Sequence, residues 1–192
     1  RETPPRLGPE VSRSHRNKSS WTVPLLIDDL FRLLLAAGFL VLGPIGGFYR
    51  YRAHHSGEKL DRRREGWLML IALRLLGVLL FMGFLAYLID PTWLATFQLK
   101  LPVWARGIGL VLGAAAGLLL IAVLRHLGRN LTDTVVTRRD HTLVVSGPYR
   151  WVRHPFYVAY LASVVATSMA ASNGYFLLVG LPIFLLLYLR TA

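Results

Sequence analysis

The 192-residue chain has no cysteine, which excludes disulfides, thiolate metal sites and S-acylation of this sequence. Acidic residues are scarce, 10 against 22 Lys and Arg, for a formal charge of +12. No Asp or Glu follows Asp140. The basic excess does not point to nucleic acid, because no basic soluble region large enough to dock a duplex is left between the apolar runs. A Rossmann nucleotide site is excluded in turn, since no G-x-G-x-x-G follows a strand pattern. Residues 1–20 have no apolar core of the signal-peptide type and read as a polar tail, free or bound to a partner. What is abundant is apolar sequence. The chain is 54% hydrophobic, with a mean hydropathy of +0.47, and this is gathered into long runs. The class is an integral membrane protein, expected in a bacterial inner (cytoplasmic) membrane.

Five apolar runs predict an all-α protein with about five transmembrane helices: Leu30–Tyr49, Gly66–Ile89, Trp104–Leu127, Phe156–Ser172 and Tyr175–Leu189. Asp28 and Asp29 are expected to cap the first, and Gly43-Pro44 to kink or shorten it. Asp90-Pro91 closes the second. Only Asn173-Gly174 separates the last two, so they read as a short helical hairpin. The organisation is a basic tail over 1–27, three spans over 28–127, and a motif-bearing region over 128–192. Six Lys or Arg occupy 50–65 and six more occupy 125–153, whereas 90–103 has only Lys100. Both basic segments should therefore face the cytoplasm. The five basic residues of the tail oppose this orientation, and an odd number of spans cannot satisfy all three.

Gly109, Gly113 and Gly117 repeat G-x-x-x-G along the third run. That spacing fits an internal helix contact better than a homodimer seam. Arg74, two turns inside the second run, either meets a substrate anion or snorkels to the surface. His54-His55 lack acidic or thiol partners at metal spacing. Arg62-Arg63-Arg64 reads as a lipid-headgroup anchor. The stretch 125–160 is richer in polar and ring residues than a connector requires. Thr142–Val145 is extended by pattern, Gly147-Pro148 is a turn, and His154-Pro155 starts the fourth helix. That helix start, with Arg153 and His154, suits a carboxylate or phosphate. The same Arg, Trp and Tyr residues also suit a plain interfacial anchor.

The pattern His141-Thr-Leu-Val144, Ser146-Gly-Pro-Tyr149, Arg153-His-Pro155 and Tyr157 resembles the isoprenylcysteine carboxyl methyltransferase and phospholipid methyltransferase family. Gly128-Arg-Asn130 resembles the family's upstream Gly-x-Asn. The resemblance covers about residues 124–190. It implies a multi-helix membrane enzyme using S-adenosylmethionine, with a lipid-like or prenylcysteine-type acceptor entering from the bilayer. His141, Leu143, Gly147, Tyr149, His154 and Tyr157 would line the cofactor pocket. Arg153 would join His154 on the methionine carboxylate. Arg190 sits where the family's Arg-x-x-Glu-Glu closing segment begins and is the catalytic candidate. Here the sequence stops at Ala192 without those acids, so the expectation is a truncated end and an inactive form. The alternative is a non-catalytic subunit of a larger membrane complex, joined through the N-terminal tail. No paired intramembrane acids or inverted repeat support a transporter.

Orientation is open to direct measurement. Cysteines introduced singly as Gln98→Cys and Arg138→Cys should label from opposite sides of the membrane. Labelling of both from one side would overturn the five-helix order.

Overall fold

A computed structural model describes residues 19–54, 67–127 and 147–189. Helix α1 runs Ser19–His54, α2 Trp67–Ile89, α3 Val103–Leu127, α4 Pro155–Ala171 and α5 Tyr175–Leu189. Short 3₁₀ turns occupy Pro91–Phe97 and Gly147–Arg150. The all-α architecture and the helical hairpin are as the sequence predicts. Among the described residues, three segments are long and apolar enough to cross a membrane: Leu26–Tyr49, Trp67–Ile89 and Val103–His126. The hairpin helices have 17 and 15 residues. At 1.5 Å per residue they reach about 25 and about 22 Å, short of a hydrocarbon core of about 30 Å. Large apolar side chains such as Leu40, Leu68, Val111 and Leu118 point outward. In lipid, outward apolar surface carries no hydrophobic penalty.

Two expectations for the first helix are corrected. It starts eleven residues before Leu30, so Asp28 and Asp29 lie within it and cap nothing. Asp29 instead pairs with Arg32 at 2.7 Å, and Asp28 pairs with Arg106 of α3. Nor does Gly43-Pro44 shorten the helix, which continues to His54. A proline removes one backbone bond and crowds one carbonyl, a local cost that a long membrane helix tolerates.

The most extensive seam is α3 on α4. A Cβ on Gly109 would sit 2.7 Å from the Ala170 backbone nitrogen, and one on Gly113 3.5 Å from the Ala166 Cβ. Bare backbone here lets the helices meet where side chains would hold them apart. The glycine run is thus an internal contact, as expected. Arg74 faces outward on α2.

At one end of the bundle, Arg106 ties three helices. Its side chain is 7% exposed. Its Nε donates to the Ala170 carbonyl (3.1 Å), one terminal nitrogen meets Asp28, and the guanidinium lies 4.2 Å above the Phe31 ring. The hairpin turn is fixed at the same end. Ser172 takes a left-handed conformation (φ 51°), and its hydroxyl bonds Leu99 O and Leu101 N. Buried Asn173 donates to Leu94 O (3.0 Å) and accepts from Tyr175 N (3.0 Å). Leu99 N→Ser172 O and Gly174 N→Phe97 O, both 2.7 Å, complete the knot. Below it pack Tyr87, Leu94, Tyr175, Phe176, Val179 and Ile183.

Because α1 and α3 run antiparallel to α2 and α4, the chain enters and leaves both basic segments at the opposite end of the bundle. The glycine seam predicts a contrast between neighbours on α3. Gly109→Val should destabilise the bundle by about 1–3 kcal/mol through overpacking. Gly107→Ala, whose Cβ would meet nothing within 4 Å, should leave the thermal midpoint in detergent unchanged. Equal midpoints for both variants would rule the seam out as a stabilising contact.

Candidate functional site

The motif residues within the described structure cluster at the start of α4. Gly147 has φ +62°, a left-handed conformation that costs a side-chain-bearing residue about 1–2 kcal/mol. The position is also crowded, because a Cβ there would run into the His126 ring of α3. That ring is held by a 2.7 Å contact between Nδ1 and the Ala122 carbonyl. Facing a carbonyl, Nδ1 must carry the proton, which leaves Nε2 as the acceptor in the neutral ring. Gly147 thus brings the motif turn onto the end of α3.

From Gly147 the 3₁₀ turn closes through Trp151 N and Val152 N on the Pro148 carbonyl (both 3.2 Å). Tyr149 is half-buried, and burial pushes its hydroxyl up to about 12. At physiological pH it is a neutral hydrogen-bond donor. Arg150 lies 6.0 Å from the Trp151 ring, and the outward Trp151 marks an interfacial depth.

Helix α4 begins as the sequence predicts. Pro155 is at its first position and buried, with no N–H to leave unpaired. The His154 carbonyl accepts from Tyr157 N (3.1 Å) and Val158 N (3.4 Å), but its side chain makes no capping bond. The ring instead stacks on Tyr157, centroids 5.3 Å apart and planes 13° from parallel. Arg153 is exposed beside it. The result is a cationic helix start bearing a flat ring pair, with a neutral phenol in the turn before it. Of the residues expected from sequence, Gly147, Tyr149, Arg153, His154 and Tyr157 all belong to this cluster. His141, Leu143 and Arg190 lie outside the described residues.

Two parts of the site were not foreseen. One is His126, whose relation to Gly147 depends on how α3 returns to α4. The other is an apolar groove of about 870 Å³ lined by residues of all five helices. Phe39, Phe81, Phe84 and Phe176 line it, with small residues Gly38, Gly77, Gly113 and Gly117 opening its walls. Its lining includes Tyr160, one helical turn from Tyr157 on the same helix, whose hydroxyl donates to the Gly180 carbonyl (3.1 Å). The G-x-x-x-G run hinted at close packing, but no periodicity in the sequence signalled a groove.

Gly147→Ala should weaken ligand binding at this turn and lower stability by about 1–2 kcal/mol. His126→Ala in the same chain should recover only the part due to collision, because the backbone strain persists. A double-mutant cycle on thermal midpoints separates the two, and full recovery would refute the strain.

No curated protein matches the chain at a significant level. Residues 108–191 match the isoprenylcysteine carboxyl methyltransferase (ICMT) family. That span contains most of α3, the motif turn and the hairpin, and so includes every described motif residue. By this region, which is less than half of the chain, the protein is similar to the isoprenylcysteine carboxyl methyltransferase family.

Proposed function

We propose that the protein transfers a methyl group from S-adenosylmethionine to a lipid-like or prenylcysteine-type acceptor lodged in the groove. The observation that carries this reading is the meeting of two unlike surfaces. An apolar groove reaches Tyr160, and one turn away stands the cationic, ring-bearing start of α4. The first suits a hydrocarbon chain, and the second a polar ligand with a carboxylate and a flat base.

The residues present fit that cofactor by their donor chemistry. Arg153 and the imidazole nitrogens of His154, free of any capping bond, can pair with a carboxylate at a helix start. Tyr157 offers a ring face to an adenine or a cation, and the Tyr149 hydroxyl can donate. When bound, S-adenosylmethionine supplies an electrophilic methyl group. The chain's part is alignment and exclusion of water, which carry most of the catalysis in an in-line displacement. Apolar walls of α1 and α2 keep water from the acceptor, and the rigid start of α4 sets the direction of approach. A carboxylate acceptor is ionised near neutral pH and asks the protein for no general base.

One observation favours a second reading, a non-catalytic subunit. Between residues 141 and 192 there is no Asp or Glu, so within that stretch only aromatic faces could compensate a sulfonium beside Arg150, Arg153 and His154. Binding and turnover assays separate the two readings. In calorimetry on the detergent-solubilised protein, His154→Ala should weaken S-adenosylmethionine binding at least about tenfold, or ~1.4 kcal/mol. Gly38→Leu and Gly77→Leu project into open space in the groove wall. They should leave that binding intact and raise the acceptor KM by about tenfold, measured with labelled methyl groups and a panel of prenylated and phospholipid acceptors. Unchanged cofactor affinity in His154→Ala would remove that residue from the site. Cofactor binding without transfer to any acceptor would favour the subunit.

A further inference from the structure

A second cleft lies at the opposite end of the bundle from the α4 start, with a volume of about 310 Å³. The third turn of α1, the 90–102 connection, the start of α3 and the hairpin turn surround it. Its charged lining is Asp28, Asp29, Arg32, Lys100 and Arg106. Arg106 is buried and committed to Asp28 and the Ala170 carbonyl, and Arg32 is committed to Asp29. The carboxylates are not used up by these pairs. Each is more than half exposed, and each ion pair engages one oxygen, Oδ1. Lys100 makes no ion pair among the described residues. The cleft thus presents spare carboxylate oxygens on one wall and a spare ammonium on another, a pattern that complements a zwitterion.

We propose that this cleft binds a zwitterionic lipid headgroup, one carrying a phosphodiester and a primary ammonium. The phosphate meets Lys100, with the exposed edge of Arg32 beside it. The ammonium meets the free oxygens of Asp28 and Asp29. Three N–H donors suit carboxylate lone pairs, whereas a quaternary ammonium has none to give. A lipid is favoured over a soluble zwitterion by depth. Trp93 and Trp104, on the same end of the bundle, are 64% and 70% exposed, and outward tryptophans mark the headgroup layer. The site uses no residue of the proposed methyl-transfer centre and sits at the other membrane face.

The test embeds the whole protein in nanodiscs of equal phosphatidylethanolamine, phosphatidylcholine and phosphatidylglycerol. Retained lipids are then weighed by native mass spectrometry after gentle extraction. Phosphatidylethanolamine should be kept over phosphatidylcholine by about tenfold. Asp29→Asn should bring the two to near parity, whereas Lys100→Gln should lower retention of both; both positions are exposed, and helicity is checked by circular dichroism. Equal retention in the unaltered protein would overturn the proposal, as would a preference that survives Asp29→Asn. Phosphatidylglycerol held as strongly as phosphatidylethanolamine would show an anion site and refute the zwitterion. Complete displacement by soluble glycerophosphoethanolamine would refute the lipid.

Discussion

Backbone polar groups at a helix turn must find partners, and at the hairpin tip few lie close by. The turn at 172–174 depends on a separate connection, residues 94–101, to satisfy its carbonyls and amides. An orphaned buried amide or carbonyl costs about 1–3 kcal/mol, so several at once would undo the hairpin. Ser172 accepts a left-handed backbone that glycine or asparagine usually takes, and its hydroxyl is repaid with two bonds to the facing loop. Because this knot holds the far end of α4, the near end of the same helix can present His154 and Tyr157 in a fixed direction. Arg106 acts in parallel, clamping α1 to α3 and α4.

The helices were legible because hydropathy over about twenty residues is a strong signal. The starts of α4 and α5 fell close to expectation because Pro155 and Asn173-Gly174 act through local sterics, which a sequence displays directly. The errors concern α1. Two adjacent aspartates before an apolar run look like caps, but within the helix Asp29 pairs with Arg32 one turn on and Asp28 with Arg106, 78 residues away. Pro44 misled for a related reason. Its local cost is visible in sequence, but the length of helix that absorbs the cost is not.

The candidate site divides in the same way. Gly147, Tyr149, Arg153, His154 and Tyr157 lie within one short stretch, so their proximity is a property of the chain itself. The stack of His154 on Tyr157 follows from i, i+3 spacing at a helix start. His126 and the groove are tertiary facts, set by where α1, α2 and α3 lie against α4. A glycine spacing can announce that two helices touch. It does not announce the space left where two others do not.

The groove has two owners. One wall comes from α3 to α5, within the region that matches the methyltransferase family. The other comes from α1 and α2, through Gly38, Phe39, Gly77 and Phe81, which lie before that region. Substitutions in the first two helices can therefore reshape the cavity without touching the motif turn. The two halves can change independently, one altering the shape of the groove while the other keeps the motif turn.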